Sequence, residues 1–513
     1  MSMTAMVNME LHVRAADSDA VLRSLGATGC FQPIYPDGAS PDSCGSAGAA
    51  LRKFSAASAA SPASGDSGAE LCISGWVPRD RTGAIGETVR SVASGPVVVE
   101  IHGPAQCLYE KKLSREDIPV LFRDNTFLSG FRPLVETYAT PCYGDTDPAP
   151  FVAFFFVILF ALMFGDLGQG AVIFCLGLAA RRTKKGMLVL ARAYWPVLVS
   201  AGAGSMFAGL LDGSFFANEE LLIPLGRSLT GFFLGASRDR FVSILPEAGL
   251  GPTLHYFAFG LAVGVVINLT GMLINCVNLW RQGERLEAIF SETGIISVAL
   301  YVWGVGMAVR AAVGLELAWF DVVGLGVPLS LLLFSRPLER LGESFLHAGE
   351  PSARFSPRSV PRRPEPDSCS DSGFNSRPPA DNAARQTETE GEGFFACCIE
   401  SLTEVFLVCA ELLANSLTFL MVGAYALSHA LLSQAFSKVA GLARISLPGG
   451  VFWQILIYAI GNVIILTLEG TIVVVQYLRL LDNEFFPKFF ARSGRPFVPL
   501  CFTEEPDKPN RSP

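Results

Sequence analysis

The first 145 residues alternate apolar and polar positions over short distances. NMELHVRA (8–15) has the period of two of a half-buried strand, and DSDAVLRSL (17–25) has the pattern of a short amphipathic helix. LCISGWVP (71–78) and PVVVEIHGP (96–104) again read as strands, with RDRTGAIGETVRSVA (79–93) as a helix between them. The pattern predicts a small α+β cytoplasmic domain over 1–145. A Gly/Ala/Ser/Pro-rich stretch near 38–68 interrupts it and is expected to stay disordered.

Past this domain the alternation gives way to long apolar runs. Pro148 to Ala180 is 33 residues, about 50 Å as one helix at 1.5 Å per residue. A bilayer core needs about 30 Å. GDLGQG (165–170) puts three glycines in the middle, which predicts two short spans joined by a tight turn. Further spans are predicted at 189–213, 254–280, 293–313 and 316–335, and two longer ones at 395–437 and 449–486. The expected fold is therefore the α+β domain followed by an all-α polytopic membrane domain of about eight transmembrane helices, the last two long. Six spans fill 146–337, a cytoplasmic low-complexity linker 338–394, two long helices 395–490, and a cytoplasmic tail 491–513.

Composition agrees with this division. Half of the residues are hydrophobic, 17% are charged, and the mean hydropathy is +0.40. That is too apolar for a soluble chain and too charged for one wholly in lipid. A net charge of −8, with no basic stretch interleaved with aromatics, gives no support to a nucleic-acid partner. Met1 to Leu25 carries charges throughout and no apolar core, so no cleavable signal peptide is expected. The twelve cysteines are scattered without C-x-x-C or Cys/His metal spacing, as suits reduced thiols. Cys397 and Cys398 lie beside a span and are candidates for acylation, or simply small residues at a helix start.

Charge also sets the expected orientation. With the N-terminal domain cytoplasmic, RRTKK (181–185), WRQGER (280–285), RFSPRSVPRR (354–363) and KFFARSGR (488–495) all fall on the cytoplasmic side. The opposite side receives GDLGQG and the 214–253 loop, which has three basic residues. This obeys the positive-inside rule for eight spans and cytoplasmic termini.

Polar residues inside the last two spans are the candidate chemistry. Glu411, Asn415 and His429 lie in the first of them, with Thr418 and Tyr425 near the same stripe. Glu411 and His429 are 18 residues apart, five turns, so one continuous helix would carry them on one face about 27 Å apart. The final span carries Glu469 and Gln476 on nearly one face, with Arg479 three residues further on. An arginine stays charged at any biological pH. It must snorkel, pair with Glu469 or Glu484, or face a carboxylate on a partner. Two polar-striped helices in one membrane domain point to ion or proton translocation. No G-x-x-x-x-G-K-[ST] is present, and GDLGQG lies between apolar spans, so nucleotide chemistry by this chain is not expected.

Several long stretches resemble one family. These are ETYATPCYGDTDPAPF (136–151), LMFGDLGQG (162–170), GSMFAGLLDGSFFANEEL (204–221) and GMLINCVNLWRQGERLEAIFSETGIISVALYVWG (271–304), then ANSLTFLMVGAYALSHALLS (414–433) and LEGTIVVVQYLRLLDNEFFPKFF (468–490). They resemble the membrane stator subunit of V-type and A-type rotary ATPases, subunit a in eukaryotes and subunit I in prokaryotes. The resemblance implies a non-catalytic, ion-translocating subunit without cofactor. Its implied partners are a rotating ring of small proteolipid subunits that each bear a membrane carboxylate, and the peripheral- and central-stalk subunits. A stator arginine facing the ring would favour the ionised carboxylate and so drive ion release.

Two features depart from the family pattern. Its penultimate long helix carries a motif like NSLSFxRVGAxALSHA, and here NSLTFLMVGAYALSHA places Met421 at the arginine position. The final-helix arginine is matched by Arg479, while Glu469, His429 and Asn415 match polar positions of the family. Met421 lies ten residues after Glu411, and Arg479 ten after Glu469, so on facing helices the two are expected close together, with Arg479 covering both arginine roles. The N-terminal domain is also shorter than is usual in the family, which implies a reduced or different stalk contact. The leading expectation is an ion-conducting stator, for protons or sodium, in a bacterial plasma membrane. A second is an assembled but weakly conducting paralogue, favoured by Met421. A third, an independent secondary transporter, calls for an inverted repeat between halves, and none is evident.

Overall fold

Strand β1 (Met6–Arg14) turns Val7, Met9, Leu11 and Val13 to one side, and that side is the core of the N-terminal domain. In the computed structural model the described residues are 3–14, 16–34, 70–110, 114–123, 125–183, 191–216, 218, 222–234, 251–316, 319–334, 394–446, 448–490 and 492–500. The stretch at 38–68, almost all of the 338–394 linker, and the side chains of Cys397 and Cys398 lie outside them. After β1 come α1 (Ser18–Thr28), β2 (Gln32–Pro33), β3 (Glu70–Pro78), α2 (Thr82–Val92) and β4 (Val98–His102). The sheet order is β2-β3-β1-β4, all antiparallel, which is the ferredoxin-like βαββαβ arrangement. Val21, Leu22 and Leu25 of α1 and Ile85 and Val89 of α2 close the core over one face. At one end of the other face Met6 and Trp76 are covered by Cys107, from α3 (Pro104–Glu110), and by Ile118.

The C-terminal segment is part of this domain. β5 (Pro119–Val120) pairs in parallel with β6 (Arg495–Pro496). Phe497 N donates to Val120 O, Leu500 N to Phe31 O, and Val498 N to the Gln32 side chain. Leu500 is buried in the N-terminal core. Residues 492–500 are therefore a packed strap rather than a free tail, and 501–513 lie outside the described residues.

At the junction to the membrane helices, α4 (Arg132–Glu136) presents Arg132 to Asp147 in a two-pronged ion pair, 2.8 Å on each prong, both side chains buried. Asp147 also accepts from the Ala149 amide at the start of α5 (Ala149–Met163), where a carboxylate suits the helix dipole. The described cysteines are in no disulfide, and burial, followed by the charge of Asp145, pushes the Cys142 thiol up to about 12.

The predicted break in the first apolar run is present, between α5 and α6 (Leu167–Arg182), but its glycines do a different job. Asp166 caps α6, accepting from Gln169 N, Phe216 N and Ser214 Oγ. Gly168 and Gly170 have ordinary backbone angles. A Cβ on Gly170 would lie 2.8 Å from the Met206 amide of α7 (Trp195–Asp212), and one on Gly202 2.5 Å from the Phe174 amide. Small residues let α6 and α7 approach backbone to backbone.

The remaining helices are α8 (Ile223–Leu234), α9 (Gly251–Gln282), α10 (Arg285–Phe290), α11 (Ile295–Ala312), α12 (Trp319–Leu333), α13 (Phe394–Thr418) and α14 (Leu420–Ser446). The final helix runs from Gly450 to Phe489 as α15 (Gly450–Ile464), a π turn (Ile465–Glu469), α16 (Gly470–Leu480), a second π turn (Leu481–Phe485) and α17 (Phe486–Phe489). Among the described residues, four helical stretches are long and apolar enough to cross a membrane: Phe257–Gln282, Arg285–Ala312, Ser401–Ser446 and Gly450–Phe489. The shorter α5 and α12 are apolar, with 15 residues each.

The chain divides into two compact units, one of Met1–Ile274 with Leu417–Pro513 and one of Asn275–Ser416. In the first, a large aromatic core joins α5, α14 and the final helix. Tyr477 donates to Val152 O, and its ring meets Phe156 edge-on at 4.7 Å. In the second, Ile296, Leu300, Leu332 and Val405 form a smaller core, and Arg310 pairs with the buried Asp321.

Candidate functional site

The expected single helix through Glu411 and His429 is interrupted. α13 ends at Thr418 and α14 starts at Leu420, with Phe419 in a turn between them. Residues 415–420 contain neither Pro nor Gly; the buried Phe419 ring is seated against Gly264, where a Cβ would lie 2.1 Å from it. Glu411 and Asn415 fall in the second unit, where Asn415 Nδ2 donates to Glu411 Oε1 at 3.4 Å. Glu411 is exposed there, while Asn415 is buried. The five-turn arithmetic assumed a helix without the break.

Within the first unit the other candidates gather at two places along α14 and the final helix. α14 buries a face of small side chains, Val422, Gly423, Ala426, Ala430 and Ser433, and His429 lies on that face. Glu469 reaches it from the end of the first π turn, a helix irregularity often found at functional sites. His429 Nδ1 and Glu469 Oε2 are 2.6 Å apart, with the side chains 7% and 9% exposed. Such a short contact suits a charge-assisted hydrogen bond. The Phe164 ring lies 4.7 Å from the imidazole. His429 also borders a small cavity shared with Gly165, Asp212, Ser214 and Ser433. His429 Nε2 and Ser433 Oγ are buried and have no partner among the described residues. Buried polar atoms of this kind are ordinarily satisfied by water.

The second place lies further toward the end of the final helix. Arg479 directs its guanidinium at the Met421 sulphur, and Gln476 Nε2 approaches the same sulphur at 3.6 Å. The expected approach of residues 421 and 479 is seen in the structure. A thioether is a weak acceptor and carries no charge. Among the described residues neither Glu469 nor Glu484 pairs with Arg479. Gln476 is buried, whereas Met421 is 42% exposed and Arg479 is exposed too. Before Arg479 the final helix exposes the apolar Leu468, Ile472 and Val475 along with Thr467 and Thr471, and one turn after it Asn483 is exposed.

Some polar groups were not singled out in the sequence. Lys488, counted there only within the basic stretch KFFARSGR, is 2% exposed and donates to Asn268 Oδ1 of α9 at 3.2 Å. Asn462 of α15 bridges the Gln169 amide and Phe216 O. Asn268 and Asn462 each stand in an apolar run, and that was the available signal.

This is a helical membrane protein with a permanent positive charge exposed on its final helix and a buried acid–imidazole pair further along the same helix. Residues 64–216 match the V-type ATPase 116kDa subunit family. The chain is 37% identical over 220 residues to V-type ATP synthase subunit I 2 of Treponema pallidum, covering 42% of this chain and 47% of the relative. It is 26% identical over 262 residues to A-type ATP synthase subunit I of Pyrococcus abyssi, covering 50% and 35%. It is 30% identical over 124 residues to human V-type proton ATPase 116 kDa subunit a 3, covering 22% and 15%. Over part of its length the chain is thus similar to subunit I, or subunit a, of the V-type and A-type ATPases. The chain spans about half or less of the length of the curated relatives named here.

Proposed function

We propose that this chain is the membrane stator subunit of a V-type ATPase and conducts protons, or sodium ions, past a rotating ring whose subunits bear a membrane carboxylate. ATP hydrolysis or synthesis in partner subunits would be coupled to that passage. The observation that carries the reading is Arg479, exposed on the final helix beside the exposed Val475, with the uncharged Met421 as its neighbour. Placing an arginine in hydrocarbon costs about 2.5–3.5 kcal/mol even on insertion scales. A carboxylate brought to that face from a neighbouring chain removes the cost, and the arginine in turn lowers its pKa and releases its ion. His429, Glu469 and the water-sized cavity beside them provide a polar route behind this face, with Gln476 between the two places. Glu411 and Asn415 belong to the same proposal as polar groups of the second unit.

In this reading the chain crosses the membrane eight times with both termini cytoplasmic, in a bacterial plasma membrane. Peripheral- and central-stalk subunits complete the complex. The strap at 492–500 supports termini on one side, because it ties the end of the final helix to the N-terminal domain. ATP-driven ion uptake by the assembled complex in sealed vesicles tests the function. Uptake by the native complex that vanishes in Arg479→Gln is the expected result, and undiminished uptake in that variant would overturn it.

A second reading has one observation in its favour. Met421 occupies the position nearest the Arg479 guanidinium and supplies no second charge. In this reading the complex assembles but conducts weakly. Its test is Met421→Arg: a rise from little uptake to brisk uptake would favour the weak conductor, and brisk native uptake would dismiss it.

A further inference from the structure

We propose that the open face of the N-terminal sheet binds a divalent transition-metal ion of the zinc type, held by Glu10, His12 and Cys72 with Glu100 and His102 alongside. The placement follows from strand register. Because Met9, Leu11 and Val13 point into the core, Glu10 and His12 must point out of it. β3 sets Cys72 directly opposite His12, and β4 sets Glu100 opposite Glu10 and His102 opposite Asn8. Five potential ligands from three adjacent strands thus share one face. The ligating atoms of Glu10, His12 and Cys72 all lie within 4.8 Å of one another, and so do those of Glu10, Glu100 and His102.

The chemistry of the set is selective. A thiolate with an imidazole and a carboxylate suits zinc and its neighbours, and disfavours magnesium and calcium, which take oxygen ligands. Three protein ligands with a fourth position open to water is a familiar zinc arrangement. Cys72 is exposed and in no disulfide, so an ion can reach it.

Two further observations bear on the charge of this face. Glu10 and Glu100 face each other directly across two strands, and like charges so placed destabilise a sheet. His102 Nε2 stands 3.6 Å from a carboxylate oxygen of each, yet that atom is buried and makes no hydrogen bond among the described residues. The other end of the same face shows what the sequence does when packing is wanted. There Met6 and Trp76 are apolar and covered by Cys107 and Ile118. At the open end the positions are instead Glu10, His12, Cys72, Ser74 and Glu100, with Val98 the apolar exception.

The test uses the full chain purified in detergent, with zinc and cobalt(II) as probes. One zinc ion retained per chain in equilibrium dialysis, and a cobalt(II) complex with thiolate-to-metal charge-transfer absorption in the near ultraviolet, are the expected results. Cys72→Ser should remove that absorption, and His12→Ala should weaken zinc binding by more than tenfold. His102→Gln, beside the ligands, should weaken it about 10–100-fold. Cys175→Ser, an exposed thiol on α6, should change nothing. No retained metal, or cobalt absorption that survives Cys72→Ser, would overturn the assignment. Cobalt bound without the thiolate band and lost in His102→Gln would also overturn it, in favour of the Glu10–Glu100–His102 set. If a variant fails to fold by circular dichroism, protection of Cys72 from iodoacetamide by zinc in the native chain decides the question.

Discussion

Two polar contacts join α14 to the final helix, and they are built in opposite ways. His429 and Glu469 meet at 2.6 Å in the interior, each less than a tenth exposed. Met421 and Arg479 meet on an exposed face, where a full charge is set against a thioether. The two lie eight residues apart on α14 and ten on the final helix, about 12 and 15 Å along the respective axes. The inner contact is self-sufficient: acid and base satisfy each other, and what remains open is the imidazole Nε2 beside the small cavity. The outer contact is incomplete, because no carboxylate of the described chain answers Arg479. A buried pair is finished by folding, whereas an exposed arginine on a membrane helix is finished by a partner.

Variants can break this contrast, beginning with the outer contact. Arg479→Gln keeps a polar side chain but removes the fixed charge. ATP-driven ion uptake by the assembled complex is expected to fall about 10²-fold or more, the scale of losing one preorganised electrostatic group. Stability of the chain should scarcely change, since the residue is exposed.

The inner pair should behave in the reverse way. Truncating one partner, as in His429→Ala, leaves a buried carboxylate without its mate and is expected to cost about 3–5 kcal/mol of stability. Replacing both residues with leucine should recover much of that loss, because apolar substitutes for a buried pair are often neutral. Uptake should nevertheless stay lost in the double variant. Recovery of both stability and uptake would show that the pair is packing and not path. Thermal unfolding and vesicle uptake, measured on the same preparations, separate these outcomes.

Arg132 and Asp147 give a control within the same unit. This pair is also buried, but it sits at the start of α5, away from both contacts. Arg132→Ala is expected to cost about 3–5 kcal/mol in thermal unfolding while uptake per assembled complex stays native. The smallest effect belongs to Met421→Leu. A volume-conserving change there should cost less than about 1.5 kcal/mol and leave uptake close to native, because the sulphur contributes no charge. A large loss in this variant would mean that the thioether holds Arg479 in place.

The sequence anticipated these features unevenly, and the reasons are physical. Alternation in NMELHVRA and PVVVEIHGP located β1 and β4, since a sheet with one buried face fixes its own period. Met421 and Arg479 do meet, but not through their equal offsets from Glu411 and Glu469, because Glu469 pairs with His429 and the two helices run antiparallel. Helical arithmetic assumes a regular helix, and both long helices contain an irregular turn. The turn at Phe419 separates Glu411 from His429, and no Pro or Gly announces it. The π turn at Ile465–Glu469 likewise shifts faces along the final helix, so the pairing of Glu469 with His429 could not be counted out from spacing.

Other misses came from contacts between distant residues. GDLGQG was legible as a break, but its glycines answer to the backbone of α7, some thirty residues away. The strap at 492–500 depends on Val120, Phe31 and Gln32, more than 350 residues earlier in the chain. The burial of Lys488 depends on Asn268 of α9. None of these partners leaves a local trace in the sequence.

The most direct test of the central claim asks what faces Arg479. Val475, one turn before it on the same side of α16, is exposed and apolar. Val475→Cys would be paired with a cysteine placed one turn from the membrane carboxylate of the ring subunit, and the assembled complex oxidised. Cross-linking from Val475→Cys, and none from a cysteine at the buried Gly461, is the predicted result. No cross-link at Val475, with the ring joined through another face of the chain, would contradict it.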